Sequence, residues 1–138
     1  MTRKEMKEKK LKEERKFLES IKGKYLNQQE KSKFRNTSVW KDFRKKFIGK
    51  VDPITLKKLP KRFNLHHLNL CPKNYTDLRM DSFVPLNSST HDIVHYIYGY
   101  YRHDKQILKR LQKILDLMVE INDGKDICDY RKEVKNGK

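Results

Sequence analysis

Phe63-Asn64-Leu65-His66-His67-Leu68, followed after a loop by Ser82-Phe83-Val84-Pro85-Leu86-Asn87-Ser88-Ser89-Thr90-His91-Asp92-Ile93-Val94-His95, decides the reading of this chain. Apolar side chains at 63, 65 and 68 alternate with polar ones, which reads as a short strand. Residues 82–86 read as a second short strand, with Pro85 at its end or on an edge, where its missing N–H is tolerated. Asn87-Ser88-Ser89-Thr90 is a cluster of N-cap residues, so a helix is expected from there to about Tyr101. The order over 63–101 is strand, loop, strand, helix, an α+β arrangement. Four of the chain's five histidines fall inside it.

His91 and His95 are four apart, so a helix presents both imidazoles on one face, one turn above the other. That is the spacing by which a helix offers two nitrogen ligands to one metal. His66 and His67 are neighbours on a strand and point to opposite faces. If they lie where the strand bends into its loop, one reaches the metal and the other stays free as a general base for water. The plainer alternative makes His91 and His95 surface polar residues, with one core and one surface histidine at 66 and 67. Four clustered histidines weigh against it.

Working outward, residues 38–48 read as a helix capped by Thr37 or Ser38. Val39, Trp40, Phe43 and Phe47 share one buried face, and Gly49 stops it. Trp40 is expected in the core. Asp52-Pro53-Ile54-Thr55 reads as a turn, and Pro60 punctuates the loop that follows. The first 35 residues alternate Lys and Glu around a thin apolar stripe (Met6, Leu11, Phe17, Leu18, Ile21, Tyr25, Leu26), a helix that forms fully only on a partner, and a solvated tail and a DNA-gripping arm are the two readings of it. Residues 105–121 carry Ile107, Leu108, Leu111, Ile114, Leu115, Met118 and Ile121 at helical spacing. Packing on the same domain's core is the favoured reading, with a homodimer seam or a protein-docking helix as alternatives. Tyr96, Tyr98, Tyr100 and Tyr101 are expected to pack, and 122–138 reads as a polar tail. Three segments follow: 1–36, 37–101 and 102–138.

Composition limits the partners. The 138 residues hold 34 Lys and Arg against 18 Asp and Glu, a formal charge of +16. Residues 1–50 carry 18 basic and 7 acidic side chains. Such a field points to a polyanion, nucleic acid before an anionic membrane surface. No apolar run approaches the roughly 20 residues that span a bilayer, and the N-terminus leads into charge rather than a secretory core. Cys71 and Cys128 form no disulfide framework and no CxxC knuckle, so a reducing, cytoplasmic setting is expected.

The run His66-His67, a loop, Ser82 to Leu86, then His91 and His95 resembles the HNH endonuclease motif on its ββα-metal fold. The double His with a His-x-x-x-His helix is most similar to the DNase colicins. Phe63 to Leu68, Asn74-Tyr75-x-x-Leu78 and Phe83-Val84-Pro85-Leu86 also resemble small phage-encoded HNH proteins. Ser38-Val39-Trp40-Lys41-Asp42-Phe43-Arg44 is similar to the helix that often leads into such domains. The resemblance covers about residues 38–101. It implies a DNA endonuclease in which His66, His91 and His95 hold one divalent metal and His67 is the general base. It puts Ser82 where the family has Asn, a residue that ties down the loop and orients the base, and Ser makes fewer such bonds. It leaves no place for a structural zinc, because Val51-Asp52-Pro53-Ile54-Thr55 stands where a Cys pair would be.

Three imidazoles favour Zn, Ni, Co or Mn, with Mg accommodated if His95 does not ligate. Arg44, Lys45, Lys46, Lys61 and Arg62 are the candidate phosphate contacts, which position a duplex without reading its sequence. The alternative function is a catalytically weakened HNH-fold protein that binds nucleic acid or a protein partner without cutting.

Overall fold

The computed structural model describes residues 1–123. Its elements in chain order are helices α1 (Arg3–Ile21), α2 (Gln28–Arg35) and α3 (Ser38–Lys45), strands β1 (Asn64–His67) and β2 (Phe83–Leu86), and helices α4 (Ser88–His103) and α5 (Ile107–Ile121). Short 3-10 turns at Pro72–Asn74 and Met80–Ser82 punctuate the loop between the strands. The class is α+β. The described chain divides into two compact units, Met1–Asp92 and Ile93 onward, with the boundary inside the unbroken helix α4. No helix among the described residues is long and apolar enough to cross a membrane.

Capping side chains start each N-terminal helix. Thr2 and Glu5 exchange side-chain-to-backbone bonds of 3.2 and 3.0 Å, and Asn27 and Glu30 exchange bonds of 2.8 and 3.1 Å. Both are capping boxes, which satisfy N–H groups that no helical carbonyl can reach. Gly23, at φ +71°, reverses the chain between α1 and α2. Thr37 Oγ1 accepts from Trp40 N at 3.3 Å to open α3, which ends at Lys45 in a run of turns rather than at residue 48.

The first unit is built on aromatic side chains. Ile21, Leu26, Phe34, Trp40, Phe43, Phe47, Phe63 and Phe83 form one buried cluster, with Phe17 and Leu18 packed against it. The segment expected to be an arm therefore supplies part of the core. Glu14 of α1 also reaches α3, accepting from Ser38 N at 3.1 Å and Ser38 Oγ at 2.6 Å. A carboxylate at a helix N-terminus meets both orphan donors and the positive end of the dipole. Burying one Phe contributes roughly 1.5–3 kcal/mol, whereas a pair of strands this short is marginal alone. The aromatic cluster holds the hairpin in place, with Phe83 of β2 5.0 Å from Phe43 and 5.9 Å from Trp40.

β1 and β2 pair antiparallel with Asn64 opposite Leu86, Leu65 opposite Pro85, His66 opposite Val84 and His67 opposite Phe83. In a two-stranded sheet both strands are edges, which explains why Pro85 is accommodated. The buried carboxylate of Asp52, 1% exposed, joins the preceding turn to the start of α4. Its Oδ1 accepts from Ile54 N at 2.8 Å and Thr55 N at 3.2 Å, and its Oδ2 from Asn87 N at 3.0 Å and Thr90 Oγ1 at 2.5 Å. Asn87 Oδ1 accepts from Thr90 N at 2.9 Å, capping α4 four residues before His91.

The second unit holds the apolar residues that the helical spacing assigned to packing. Every α5 residue from Leu108 to Ile121 is exposed. Tyr96 is 72% and Tyr100 64% exposed, so they are surface residues rather than the packed tyrosines expected. The expected tail at 122–138 lies outside the described residues from 124 onward.

Candidate metal centre and adjoining cleft

Strand alternation separates the two neighbouring histidines. His66, 9% exposed, projects toward α4, where its ring lies 5.4 Å from that of His91, edge to face. His95 stands one turn further along the same helix. One ring nitrogen from each of His66, His91 and His95 can be chosen so that all lie within 4.8 Å of one another. A tetrahedral centre with bonds of about 2.0–2.1 Å sets its donors roughly 3.4 Å apart. Three imidazoles suit a divalent transition ion. The residues fit a metal.

His67 takes the other face and is held tightly rather than left free. Its ring stacks on Tyr75 at 4.6 Å and lies parallel to Trp40 at 6.3 Å, with Phe83 across the strand pair at 4.6 Å. His67 Nε2 lies 3.2 Å from the carbonyl oxygen of Tyr75. A carbonyl only accepts, so Nε2 carries the proton and Nδ1 keeps its lone pair. Burial pushes the His67 pKa down, and Lys31 and Arg35 push the same way against the Tyr75 carbonyl. The neutral base form is favoured.

A cavity of about 480 Å³ lies beside this ring, with His67, His91, Trp40, Tyr75, Arg35 and Arg44 in its wall. The base and one proposed metal ligand therefore face a common space. Arg35 Nη1 donates to Tyr75 Oη at 2.6 Å. Arg44 stacks 3.8 Å over the Phe63 ring and donates to the carbonyls of Phe63 at 2.8 Å and Lys61 at 3.2 Å. Those bonds fix the chain entering β1 while the guanidinium stays at the cavity wall. Desolvation lowers the Arg44 pKa from its ordinary value, yet a guanidinium keeps its charge in proteins.

The other basic residues singled out by sequence lie elsewhere. Lys45 is exposed and pairs with Asp42 at 3.7 Å. Lys46 reaches over the Phe43 ring at 5.7 Å. Lys61 and Arg62 are exposed in the loop before β1. Of the five, Arg44 alone is in the cavity wall. Ser82 extends the strand pairing, accepting from Leu68 N at 2.9 Å, and shares a small crevice with His67, Asn69 and Asn74. Asn87 caps α4 and Asn64 bonds Ser88 Oγ at 3.5 Å, so neither does the work of an Asn at position 82.

Sequence reasoning missed Arg35, Tyr75 and Asp52 as parts of the site. Arg35 sits among many other basic residues on a helix, with nothing to mark it. Comparison with known protein families, curated proteins and solved structures returns no match to this chain.

Proposed function

We propose that this chain is a metal-dependent HNH-type endonuclease that hydrolyses DNA phosphodiester bonds. The observation that carries this reading is the convergence of His66, His91 and His95 beside a cavity that also presents His67 and two arginines. The hairpin β1–β2 followed by α4 supplies these groups in the order the resemblance implies. DNA is the favoured polyanion for a chain of charge +16.

When bound at the three imidazoles, a divalent cation supplies positive charge to the phosphate and to the departing oxygen. His67 Nδ1 accepts the proton of the attacking water as the new O–P bond forms and the P–O bond to the leaving alkoxide breaks. Trp40 and Tyr75 hold the imidazole against rotation. Arg35 and Arg44 neutralise the phosphate in the cavity without reading bases. Lys45, Lys46, Lys61 and Arg62 contribute to the general field around a duplex.

Ser82 favours a second reading, a weakened enzyme that mainly binds, because a hydroxyl replaces an amide beside His67. Conversion of supercoiled plasmid to nicked or linear DNA, assayed with Mg, Mn, Ni, Co and Zn, decides between them. Cleavage by the wild type that is lost in His67→Ala, with DNA affinity retained, is the expected result. Absence of cleavage with every ion sinks the nuclease reading and leaves the binding module.

A further inference from the structure

Lys31 and Arg35 stand one turn apart on the same side of α2, with Lys33 on the opposite side. Arg35 Nη1 donates to Tyr75 Oη at 2.6 Å, and the Lys31 ammonium lies 5.2 Å from the centre of the same ring. Tyr75 in turn stacks on His67 at 4.6 Å. One aromatic ring therefore separates two cations of α2 from the proposed base, and both charges reach the His67 ring electrostatically. Lys33 points elsewhere, with its ammonium 4.4 Å from the centre of the Phe17 ring.

Lys31 is half-buried, and its head lies over an aromatic face rather than moving freely in water. Among the described residues, neither Lys31 nor Arg35 pairs with a carboxylate. The acidic residues closest to them and to Tyr75 in sequence have other partners. Glu30 Oε1 accepts from Asn27 N at 3.1 Å, and Asp77 pairs with Arg79 at 2.8 Å. Two positioned cations without a counter-charge create a positive potential beside the cavity, which suits an anionic part of the substrate. Arg35 and Arg44 are in the cavity wall, but Lys31 is not. Its charge stands at the rim, on the Tyr75 side. A nucleic-acid strand carries phosphates at a regular spacing, so a strand with one phosphate in the cavity brings another to its rim.

We propose that Lys31 binds a backbone phosphate flanking the scissile one, so that α2 holds the substrate strand where it leaves the cavity. The residue lies outside the 38–101 segment that carries the site histidines. The place of this phosphate along the strand rests on the nuclease reading, whereas the contact itself does not.

Fluorescence anisotropy of a labelled DNA duplex with the full chain tests the contact, in EDTA so that no cleavage occurs. Lys31→Gln keeps much of the stem and removes the charge. It should reduce the slope of log affinity against log salt by about 0.9, a deficit of about 10-fold at about 50 mM NaCl that narrows to about 3-fold at about 200 mM. Lys33→Gln removes the same charge from the other side of α2 and should leave the slope within about 0.3 of wild type. Lys31→Arg should restore it. Unchanged far-UV circular dichroism shows that folding is retained. Equal losses in the two glutamine variants overturn the proposal in favour of a general field, as does a Lys31→Gln slope equal to wild type or a wild type without salt-dependent binding. In cleavage assays Lys31→Gln should raise KM by the same factor as Kd, with kcat within about twofold. A fall in kcat at constant KM puts Lys31 on the reacting phosphate and overturns the flanking position. Absence of cleavage with every ion sinks the nuclease reading, while the slopes still decide the Lys31 contact.

Discussion

Asp52 Oδ2 accepts a 2.5 Å hydrogen bond from Thr90 Oγ1, 38 positions further along the chain. The residue after Thr90 is His91. One buried carboxylate therefore sets the start of the helix on which two of the three clustered imidazoles stand. The same carboxylate takes two N–H bonds from its own turn and one from Asn87. It joins the 52–55 turn to the start of α4.

Replacing Asp52 by Ala strands the Asn87 N–H and leaves the Thr90 hydroxyl only its 3.2 Å bond to the Asn87 carbonyl. Hydrogen bonds to charged groups are worth about 1.5–3 kcal/mol each, and orphaned buried donors cost about 1–3 kcal/mol. Destabilisation of about 3 kcal/mol is expected in urea unfolding. Thr90→Val removes one donor with little change of shape and costs about 1–2 kcal/mol. Metal affinity, measured by calorimetry, falls about 10-fold in Asp52→Ala, as when an outer support of a metal ligand is lost. Unchanged unfolding midpoints in both variants contradict this role.

The same carboxylate gives a stability profile in acid. Burial alone raises its pKa, but the bonds from Thr90, Asn87, Ile54 and Thr55 outweigh burial and lower it from 3.8 to about 2. A depressed folded-state value means that the unfolded chain binds the proton first. The contribution is complete above about pH 4 and is lost as pH falls toward 2. Urea midpoints measured from pH 5 to pH 2 should drop through this window in the wild type. Asp52→Asn should drop less steeply there, since it has no carboxyl to protonate.

Much of this arrangement was legible from local pattern. The two strands, the start of α4 at Asn87, the burial of Trp40 and the facing of His91 and His95 follow from alternation, caps and helical spacing. What was not legible depends on contacts distant in sequence. Tyr75 lies eight residues beyond His67, in a loop without periodicity, and reaches it through a backbone carbonyl that no side-chain pattern encodes. Arg35 reaches Tyr75 across 40 positions. Asp52 reads locally as a turn residue, and only the fold shows its second oxygen at work. The exposure of α5 is not legible in sequence, because a helical stripe shows that a face is apolar but not what covers it.

Tyr75 acts on His67 through two separable parts, its ring and its backbone carbonyl, and is itself steadied by Arg35. Tyr75→Phe keeps the ring and the carbonyl and loses only the bond from Arg35, so single-turnover cleavage should stay within about threefold of wild type. Tyr75→Ala removes the stacking surface and lets the imidazole rotate, which should lower kcat about 30-fold of the 10²–10⁴ available to a positioned base. KM should change little, because Arg35 and Arg44 remain. A phenylalanine variant as slow as the alanine variant assigns the effect to Arg35 instead.

Removal of the proposed metal should separate chemistry from folding. The aromatic cluster uses no metal ligand, so chelation by EDTA is expected to abolish cleavage while far-UV circular dichroism stays unchanged. The three imidazoles need not matter equally for every ion. Zn and Ni accept a third nitrogen readily, whereas Mg prefers oxygen ligands and retains waters. His95, the exposed member of the set, is the ligand most easily replaced by water. His95→Ala should weaken Zn and Ni binding by about 100-fold or more in calorimetry, yet reduce Mg-supported cleavage by less than about 10-fold. His66→Ala, which removes the buried strand member of the proposed ligand set, should abolish activity with every ion. Equal losses in both variants with Mg would place all three imidazoles on that ion as well.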